Sequence, residues 1–135
     1  MPICILLAPE GISDSSKEKL MGKLTRHIHA AYPNTVTEVF LQEIDRSLVM
    51  VDGIRLSANP SGGAGAREVR LCTLLCPPGI KADVKKAMME RVTADIAEAY
   101  PNEGHTWVVH REDDPASAML NGGLMSEKYG QAPTR

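Results

Sequence analysis

The three cysteines are the residues of this chain with the widest range of possible chemical roles, because a thiol can act as a nucleophile, a metal ligand or half of a disulfide. Cys72 and Cys76 stand four positions apart in the apolar run LCTLLC, and Cys4 stands in the similar run ICILL. The spacing matches no zinc-binding or redox pattern, and an odd number leaves one cysteine without a disulfide partner. We therefore predict buried, reduced thiols, no metal and no other cofactor.

The charge and hydropathy of the chain argue against several classes of partner. The 135 residues carry a formal net charge of −2, and only 4% of them are aromatic, which favours neither phosphate binding nor base stacking. No apolar run approaches the roughly 20 residues that a membrane helix needs, and the start MPICILLAPEG lacks the basic region of a signal peptide. We expect a single cytoplasmic domain with no nucleic-acid or membrane partner.

A repeat runs through the chain. The tetrapeptide AYPN at residues 31–34 returns 68 residues later at 99–102. At the same offset Cys4 matches Cys72, and no gap is needed up to Asn102. Further identical pairs are Leu6 with Leu74, Leu7 with Leu75, Pro9 with Pro77 and Gly11 with Gly79. A long unit that occurs twice indicates a fused pseudo-dimer rather than a solenoid.

Each unit has the same predicted order of elements. An apolar run bounded by Pro and Gly predicts a buried strand, and a polar start then opens a helix of about five turns. The apolar residues of the two helices fall at spacings of three and four, namely Leu20, Leu24, Ile28 and Ala31, then Met88, Val92, Ile96 and Ala99. Tyr-Pro-Asn ends each helix, because the residue before proline avoids the helical region. A second strand follows, and then a VDG or NGG hairpin.

These elements predict an α+β fold made of two tandem β-α-β units, 1–56 and 67–135, within one domain. The Gly/Ser/Ala-rich linker 57–66 joins the units and is predicted to be the least ordered internal segment. The first strands of the two units pair edge to edge, which gives a four-stranded sheet with both helices on one face. The other face stays bare, and we expect it to carry residues such as Phe40 and Val108.

The stretch PICILLAPEGISD, with Pro2 directly after Met1, resembles the opening of 4-oxalocrotonate tautomerase. Two fused units resemble the longer members of the tautomerase superfamily, such as cis-3-chloroacrylic acid dehalogenase and malonate semialdehyde decarboxylase. The resemblance covers nearly the whole chain. It implies that Met1 is removed and that the free secondary amine of Pro2 is the catalytic base. Burial and a nearby cation lower the pKa of such an amine toward neutrality, where a general base works best.

The chain departs from the family at the residues that bind substrate. The arginine that follows E-G in the tautomerases is Ile12 here, and its counterpart in the second unit is Ile80. The second-strand arginine of 4-oxalocrotonate tautomerase falls near Glu38, and the helix histidine of the dehalogenase falls on Ile28. The usual carboxylate clamp is therefore missing.

Two residues could take its place beside Pro2. Antiparallel pairing of the first strands puts Pro2 near residues 76–81, where Lys81 is the only cation and Ile80 a possible apolar wall. Lys81 binds a substrate carboxylate as a point charge or is a solvated residue of the first helical turn. Glu38 acts as an acid, orients water or is an exposed charge.

Three further positions have open alternatives. Arg70 is the counterpart of Pro2 in the second unit, but an internal residue has no free amine, and we expect it at the other end of the sheet. Trp107 is either a core residue or an apolar wall of the pocket. The run His110, Arg111 and Glu112 ends the last strand, where it lines a subunit boundary or begins a solvated loop.

Three functions compete at this stage. The first is a tautomerase with Pro2 as base, acting on a small 2-oxo or enol acid. The second keeps Pro2 protonated, for decarboxylation or for hydration of an unsaturated acid. The third is a non-catalytic trimeric relative that binds a small ligand or a partner. The bare sheet face predicts a homotrimer in all three.

Overall fold

The computed structural model describes residues 1–58 and 68–128. The first unit comprises β1 Ile3–Pro9, α1 Asp14–Ala31, β2 Glu38–Ile44, β3 Met50–Val51 and β4 Ile54–Arg55. The second unit comprises β5 Glu68–Cys76, α2 Ala82–Ala99, β6 Gly104–Glu112, β7 Met119–Leu120 and β8 Gly123–Leu124, followed by the short helix α3 Met125–Lys128. The predicted α+β class and the two β-α-β units are confirmed.

The main sheet has the strand order β2-β1-β5-β6. β1 pairs with β2 and β5 pairs with β6 in parallel, whereas β1 and β5 run antiparallel. Ile5 pairs with Thr73, its counterpart in the other unit, so a local two-fold axis passes between them. Across the same axis the Sγ atoms of Cys4 and Cys72 lie 3.5 Å apart, and each residue is again the repeat partner of the other.

The core lies between the helix-facing side of this sheet and the two helices. It contains the apolar helix residues that the spacing predicts, among them Leu20, Leu24, Ile28, Met88, Val92 and Ile96. All three cysteines are free and buried, as predicted. The helices contact each other through His27 and Asp95, whose Nδ1 and Oδ2 atoms are 2.5 Å apart and whose positions also differ by one repeat.

The helix ends follow the local sequence. The Ser13 hydroxyl accepts a hydrogen bond from the Ser16 N–H and so caps the start of α1. Tyr32 and Tyr100 end α1 and α2, directly before Pro33 and Pro101, as the Tyr-Pro-Asn pattern predicts.

The two units differ by one inserted residue, which precedes the second strand of the second unit. Ile3 pairs with Glu38, whereas its counterpart Leu71 pairs with Trp107, so the second strand of the second unit begins one residue later than the repeat offset predicts. Gly104 stands at the start of this strand, and a Cβ there would lie 2.1 Å from the carbonyl oxygen of Glu68, so only glycine fits.

The insertion corrects two sequence-based expectations, because a shift of one residue moves a strand side chain to the other face. Val108 packs against the core and does not lie on the bare face. Trp107 is not a core residue, since 62% of it is exposed. The bare face instead carries Trp107 and Val109, together with Phe40 as predicted.

Both predicted hairpins are present. Asp52 and Gly53 turn with φ values of 51° and 79°, and Asn121 and Gly122 turn with 52° and 83°, as in a type I′ turn. The predicted linker begins inside a 3₁₀ turn, Leu56–Ala58, and its residues 59–66 lie outside the described part of the chain. No helix among the described residues is long and apolar enough to cross a membrane.

Candidate functional site

Pro2 is buried at the start of β1, one of the two central strands. Its carbonyl oxygen accepts a hydrogen bond from the N–H of Glu38, with an N···O distance of 3.1 Å. On the other side, the pairing of Ile3 with Leu75 brings Pro2 level with Cys76, the last residue of β5. The predicted position of Pro2, beside the end of the second unit's first strand, agrees with this register.

The N-terminal amine lies in a partly desolvated position. Burial lowers the pKa of this amine, here on Met1, while the Cys76 thiol and the Glu38 carboxylate act in the opposite direction. An amine at this end of the sheet therefore binds its proton less tightly than an amine in water does. That property suits a general base at neutral pH.

Three side chains lie together near the end of β5, namely those of Tyr32, Cys76 and His110. We call them the Tyr32 cluster. The Tyr32 hydroxyl lies 3.0 Å from His110 Nε2, and Cys76 lies close enough to Tyr32 for the two groups to influence each other's pKa. Burial raises the pKa of Tyr32 and raises that of Cys76 to about 11. Burial, assisted by Lys85, lowers the pKa of His110. All three groups are therefore neutral at pH 7.

The sequence did not reveal this cluster. In the sequence, Tyr32 indicates only the end of a helix, and His110 a strand end that lines a subunit boundary or begins a solvated loop. The tyrosine itself could have indicated a polar site at this position, because a buried tyrosine hydroxyl usually has a hydrogen-bond partner.

Arg70, the counterpart of Pro2, lies at the opposite end of the sheet, as expected. It is 3% exposed. Its guanidinium donates hydrogen bonds to four acceptors, the side chains of Glu68 and Thr106 and the carbonyl oxygens of Tyr100 and Asn102. Arg46 also pairs with Glu68. These contacts occupy Arg70 within its own unit, so a single chain does not bring it to Pro2.

The other predicted substrate-binding residues lie at varied distances from Pro2. Lys81 is exposed at the residue before α2, and Ile80 is half-buried against the core. Trp107 lies five residues along β6 from Glu112, which is level with Cys76, and this separation corresponds to about 16 Å. Of this set, Glu38 alone adjoins Pro2 directly.

Arg111 is a candidate that the sequence-based choice omitted. It pairs with Leu75, which pairs with Ile3, and its side chain is exposed on the bare face. Two strand spacings, about 10 Å, separate the backbone of Arg111 from that of Ile3. Arg111 therefore places a cation at the Pro2 end of the sheet. The repeat offset does not predict this position, because the residue inserted before β6 decides which face of the sheet Arg111 occupies.

The described residues contain no group of three or more His, Cys, Asp or Glu side chains that could hold a metal ion. The Pro2 end of the sheet thus offers an amine, a carboxylate, a cation and a neutral hydrogen-bonded cluster. These groups can move a proton and bind a small anion.

No family model matches the chain, and no curated protein matches it in sequence. Solved structures do match. A wild-type fused 4-OT described as a symmetric trimer has 16% sequence identity and a TM-score of 0.77, over 96% of this chain and 99% of that chain. The protein Pt0534, inactivated by 2-oxo-3-pentynoate, has 14% identity and a TM-score of 0.78 over the same shares.

A macrophage migration inhibitory factor from Toxoplasma gondii is more distant, with 8% identity and a TM-score of 0.69 over 90% of this chain and 98% of that chain. The whole described chain therefore has the fold of the tautomerase superfamily, as its resemblance to that family implied.

Proposed function

We propose that this protein is a tautomerase-like enzyme that uses the free amine of Pro2 as a general base on a small 2-oxo or enol acid. The observation that carries the proposal is the position of Pro2. It is buried at the start of a central strand, where burial lowers the pKa of the N-terminal amine. The shared fold with fused 4-OT supports the same reading.

The chemistry is a transfer of one proton between two positions of the substrate. The neutral amine of Pro2 takes a proton from the carbon next to the ketone, and electrons move to the ketone oxygen to form the enolate. The amine then returns the proton to oxygen, or the reverse sequence runs from the enol. General-base catalysis of this kind contributes about 10²–10⁴-fold to the rate.

Arg111 is the residue we propose for holding the substrate carboxylate. Its guanidinium can bind a carboxylate through two parallel hydrogen bonds, which the Lys81 ammonium cannot do. Lys81 and Ile80 remain candidates for the rim of the site, and Glu38 remains the candidate for orienting the substrate or a water. Trp107 and Arg70 reach a Pro2 site only if another chain supplies them.

We infer a homotrimer from the bare sheet face. Phe40, Trp107 and Val109 are 52%, 62% and 40% exposed there, and such apolar surfaces mark interfaces. The fused 4-OT relatives are described as trimers. Analytical ultracentrifugation tests the inference, with three 14.6 kDa chains per particle expected. A stable monomer at micromolar concentration would overturn it.

Two alternatives each have an observation in their favour. Burial lowers the pKa of the N-terminal amine, but the Cys76 thiol and the Glu38 carboxylate act to raise it, and this opposing effect favours a protonated Pro2 and hence a decarboxylase, a hydratase or a dehalogenase. Ile12 and Ile80 pack against the core, where the tautomerases have substrate-binding arginine at the first position. The loss of that arginine favours a non-catalytic trimer that binds a small ligand.

The test begins with the mass of the purified protein, which must show that Met1 is absent. Phenylenolpyruvate, a weakly charged enol, is then the substrate for three proteins. We expect Pro2→Ala, which keeps a primary amine, to lose most of the rate, and a protein with a retained leader residue to lose all of it. Equal rates in the blocked and unblocked proteins would overturn the proposal.

A further inference from the structure

We propose that the groove between the two long helices contains a binding site for a small monocarboxylate, in which Arg91 binds the carboxylate group. None of the residues that line this site belongs to the proposed Pro2 site, so the inference does not rest on the proposed function. The two halves of the groove are related by the local two-fold axis, and they differ in one ion pair.

The axis runs between the helices as well as between the central strands. His27 of α1 and Asp95 of α2 are repeat partners, and their Nδ1 and Oδ2 atoms lie 2.5 Å apart. This pair divides the groove between α1 and α2 into two halves with equivalent backbones. Each residue of one half has its counterpart 68 positions away, in the other half.

In one half, an ion pair closes the groove. The Glu98 carboxylate of α2 lies 2.6 Å from the Lys23 ammonium and 3.8 Å from the Lys19 ammonium, both of α1. Lys23, assisted by Lys19, lowers the pKa of this carboxyl group. A carboxylate at this place in the groove is therefore held by a cation from the opposite helix.

In the other half, the equivalent positions leave an open cleft. Glu98 is matched by Ala30, so the carboxylate is missing. Lys23 is matched by Arg91, so the cation remains. Ala87 stands in place of the second lysine and removes another long side chain. The two alanines and the arginine all line a cleft of about 290 Å³.

The Arg91 guanidinium is available to a ligand. Its side chain is exposed at the cleft, and it has no hydrogen-bond or ion-pair partner within the part of the chain that the structure describes. A guanidinium binds a carboxylate through two parallel hydrogen bonds, which gives both attraction and orientation. A ligand carboxylate beside Arg91 would occupy the place that the Glu98 carboxylate occupies in the other half.

The remaining lining of the cleft favours a short apolar body with a single negative charge. Ala31, Val84 and Met88 extend its apolar surface. Asp83 is the only acidic residue in the lining and would repel a second carboxylate on the ligand, whereas His27 has its Nδ1 already bound across the groove. The volume lies at the lower end of the range for ligand pockets. The site therefore suits a small monocarboxylate.

Hexanoate is the probe for the test, because it carries one carboxylate on a short aliphatic chain. Hexanamide has the same shape without the charge, and adipate adds a second carboxylate. Alanine methyl and backbone amide signals in NMR spectra report where each compound binds. We expect hexanoate to shift the signals of Ala30, Ala31 and Ala87 along a single-site saturation curve, and to bind at least about tenfold more tightly than hexanamide or adipate.

Two pairs of variants test the assignment of Arg91. Arg91→Met should weaken hexanoate binding at least about tenfold, whereas Arg26→Met, at an exposed arginine of α1 outside the cleft, should not change it. Ala30→Glu supplies the missing carboxylate from the chain itself, as Glu98 does in the other half, and should weaken binding to a similar extent. Ala97→Glu, at an exposed alanine near the end of α2, alters the net charge equally and should leave binding unchanged.

The outcomes separate this proposal from the proposed function. Pro2→Ala should bind hexanoate at the cleft as the wild type does, whether or not Pro2 is catalytic. The proposal is overturned if hexanoate leaves the alanine signals of the cleft unchanged, or shifts only signals around Pro2 and Arg111. Equal binding by the two members of either variant pair would also overturn it, and circular dichroism checks that each variant is folded.

Discussion

The two ends of the main sheet are built from equivalent elements, yet they use polar groups in opposite ways. At the Pro2 end, the neutral groups Tyr32, Cys76 and His110 lie together, and Cys76 acts on the N-terminal amine. At the Arg70 end, a guanidinium forms four hydrogen bonds and an ion pair with a buried carboxylate. The Pro2 end therefore has neutral polar groups, whereas the Arg70 end has a charged network, in which the Tyr100 hydroxyl has no hydrogen-bond partner among the described residues.

The difference originates in the covalent connection. Under the proposed function the first unit presents the free amine of Pro2, whereas the corresponding residue of the second unit, Arg70, lies inside the polypeptide and cannot present an amine. Polar groups buried beside this position still need hydrogen-bond partners, and Arg70 donates to Thr106 and to the carbonyl oxygens of Tyr100 and Asn102. We therefore expect stability to depend on the Arg70 end and reactivity on the Pro2 end.

The largest effect on stability should follow Arg70→Met. The substitution leaves the buried Glu68 carboxylate with Arg46 and the Asn102 amide as its side-chain partners, and removes the Arg70 donor from the carbonyl groups of Tyr100 and Asn102. Breaking a buried ion pair costs about 3 kcal/mol. Urea unfolding at fixed protein concentration measures the loss.

The double variant Glu68→Gln with Arg70→Met is the control, and we expect it to recover part of that loss because it removes the buried charge. Pro2→Ala, the change at the equivalent position, should cost about 1 kcal/mol or less. Equal losses for Arg70→Met and Pro2→Ala would contradict the division between the two ends.

A smaller effect should distinguish the two tyrosines. Tyr32→Phe removes a hydroxyl that is paired with His110 and should cost about 1 kcal/mol. Tyr100→Phe removes a buried hydroxyl that has no partner among the described residues, so we expect no loss of stability or a slight gain. Thermal unfolding of both variants decides the matter, and a larger loss for Tyr100→Phe would show that its hydroxyl is satisfied.

The Pro2 end should also give stability a pH dependence through His110. Its pKa in the folded protein is lowered by burial and Lys85, so the unfolded chain binds this proton more readily. Stability should rise with pH from the depressed pKa up to about 6.5, the ordinary value, and then level off. In His110→Leu, which copies Leu41 of the other unit, this contribution should vanish from unfolding curves recorded between about pH 5 and 7.5.

The smallest effect is expected in the hairpins, which differ by one atom type. Asp52 and Asn121 both have positive φ, and asparagine adopts this conformation readily before glycine. Asp52→Asn should stabilise the protein by about 0.5 kcal/mol or less, and Asn121→Asp should do the reverse. Changes of the same sign would mean that surrounding charges, and not the turn, dominate.

Much of the fold could be predicted from the sequence because each strand, helix and turn pattern occurs twice, once in each unit. Strands, helices and turns appear twice with the same apolar spacing, and Pro2 is placed by the pairing of two apolar runs. The face of each β6 residue could not be predicted, since the offset of 68 fails after Asn102. That single inserted residue turns Val108 toward the core and Trp107 toward the bare face, and it also decides the face of Arg111.

The Tyr32 cluster escaped prediction for another reason. Its members are far apart in sequence and come from both units, so no local pattern joins them. The repeat could have drawn attention to the cluster, because Tyr32 is matched by Tyr100 whereas Cys76 and His110 are matched by Ala8 and Leu41.

The local two-fold axis between Ile5 and Thr73 has a consequence for ligand stoichiometry. A symmetric pair of separate units would be divalent, with one amine at each end of the sheet. Fusion keeps the symmetry of the backbone but makes each chain monovalent, because a polypeptide has one N-terminus. Under the proposed function, a titration with a tight-binding ligand should therefore saturate at one equivalent per chain, and the Arg70 end should contribute no second site.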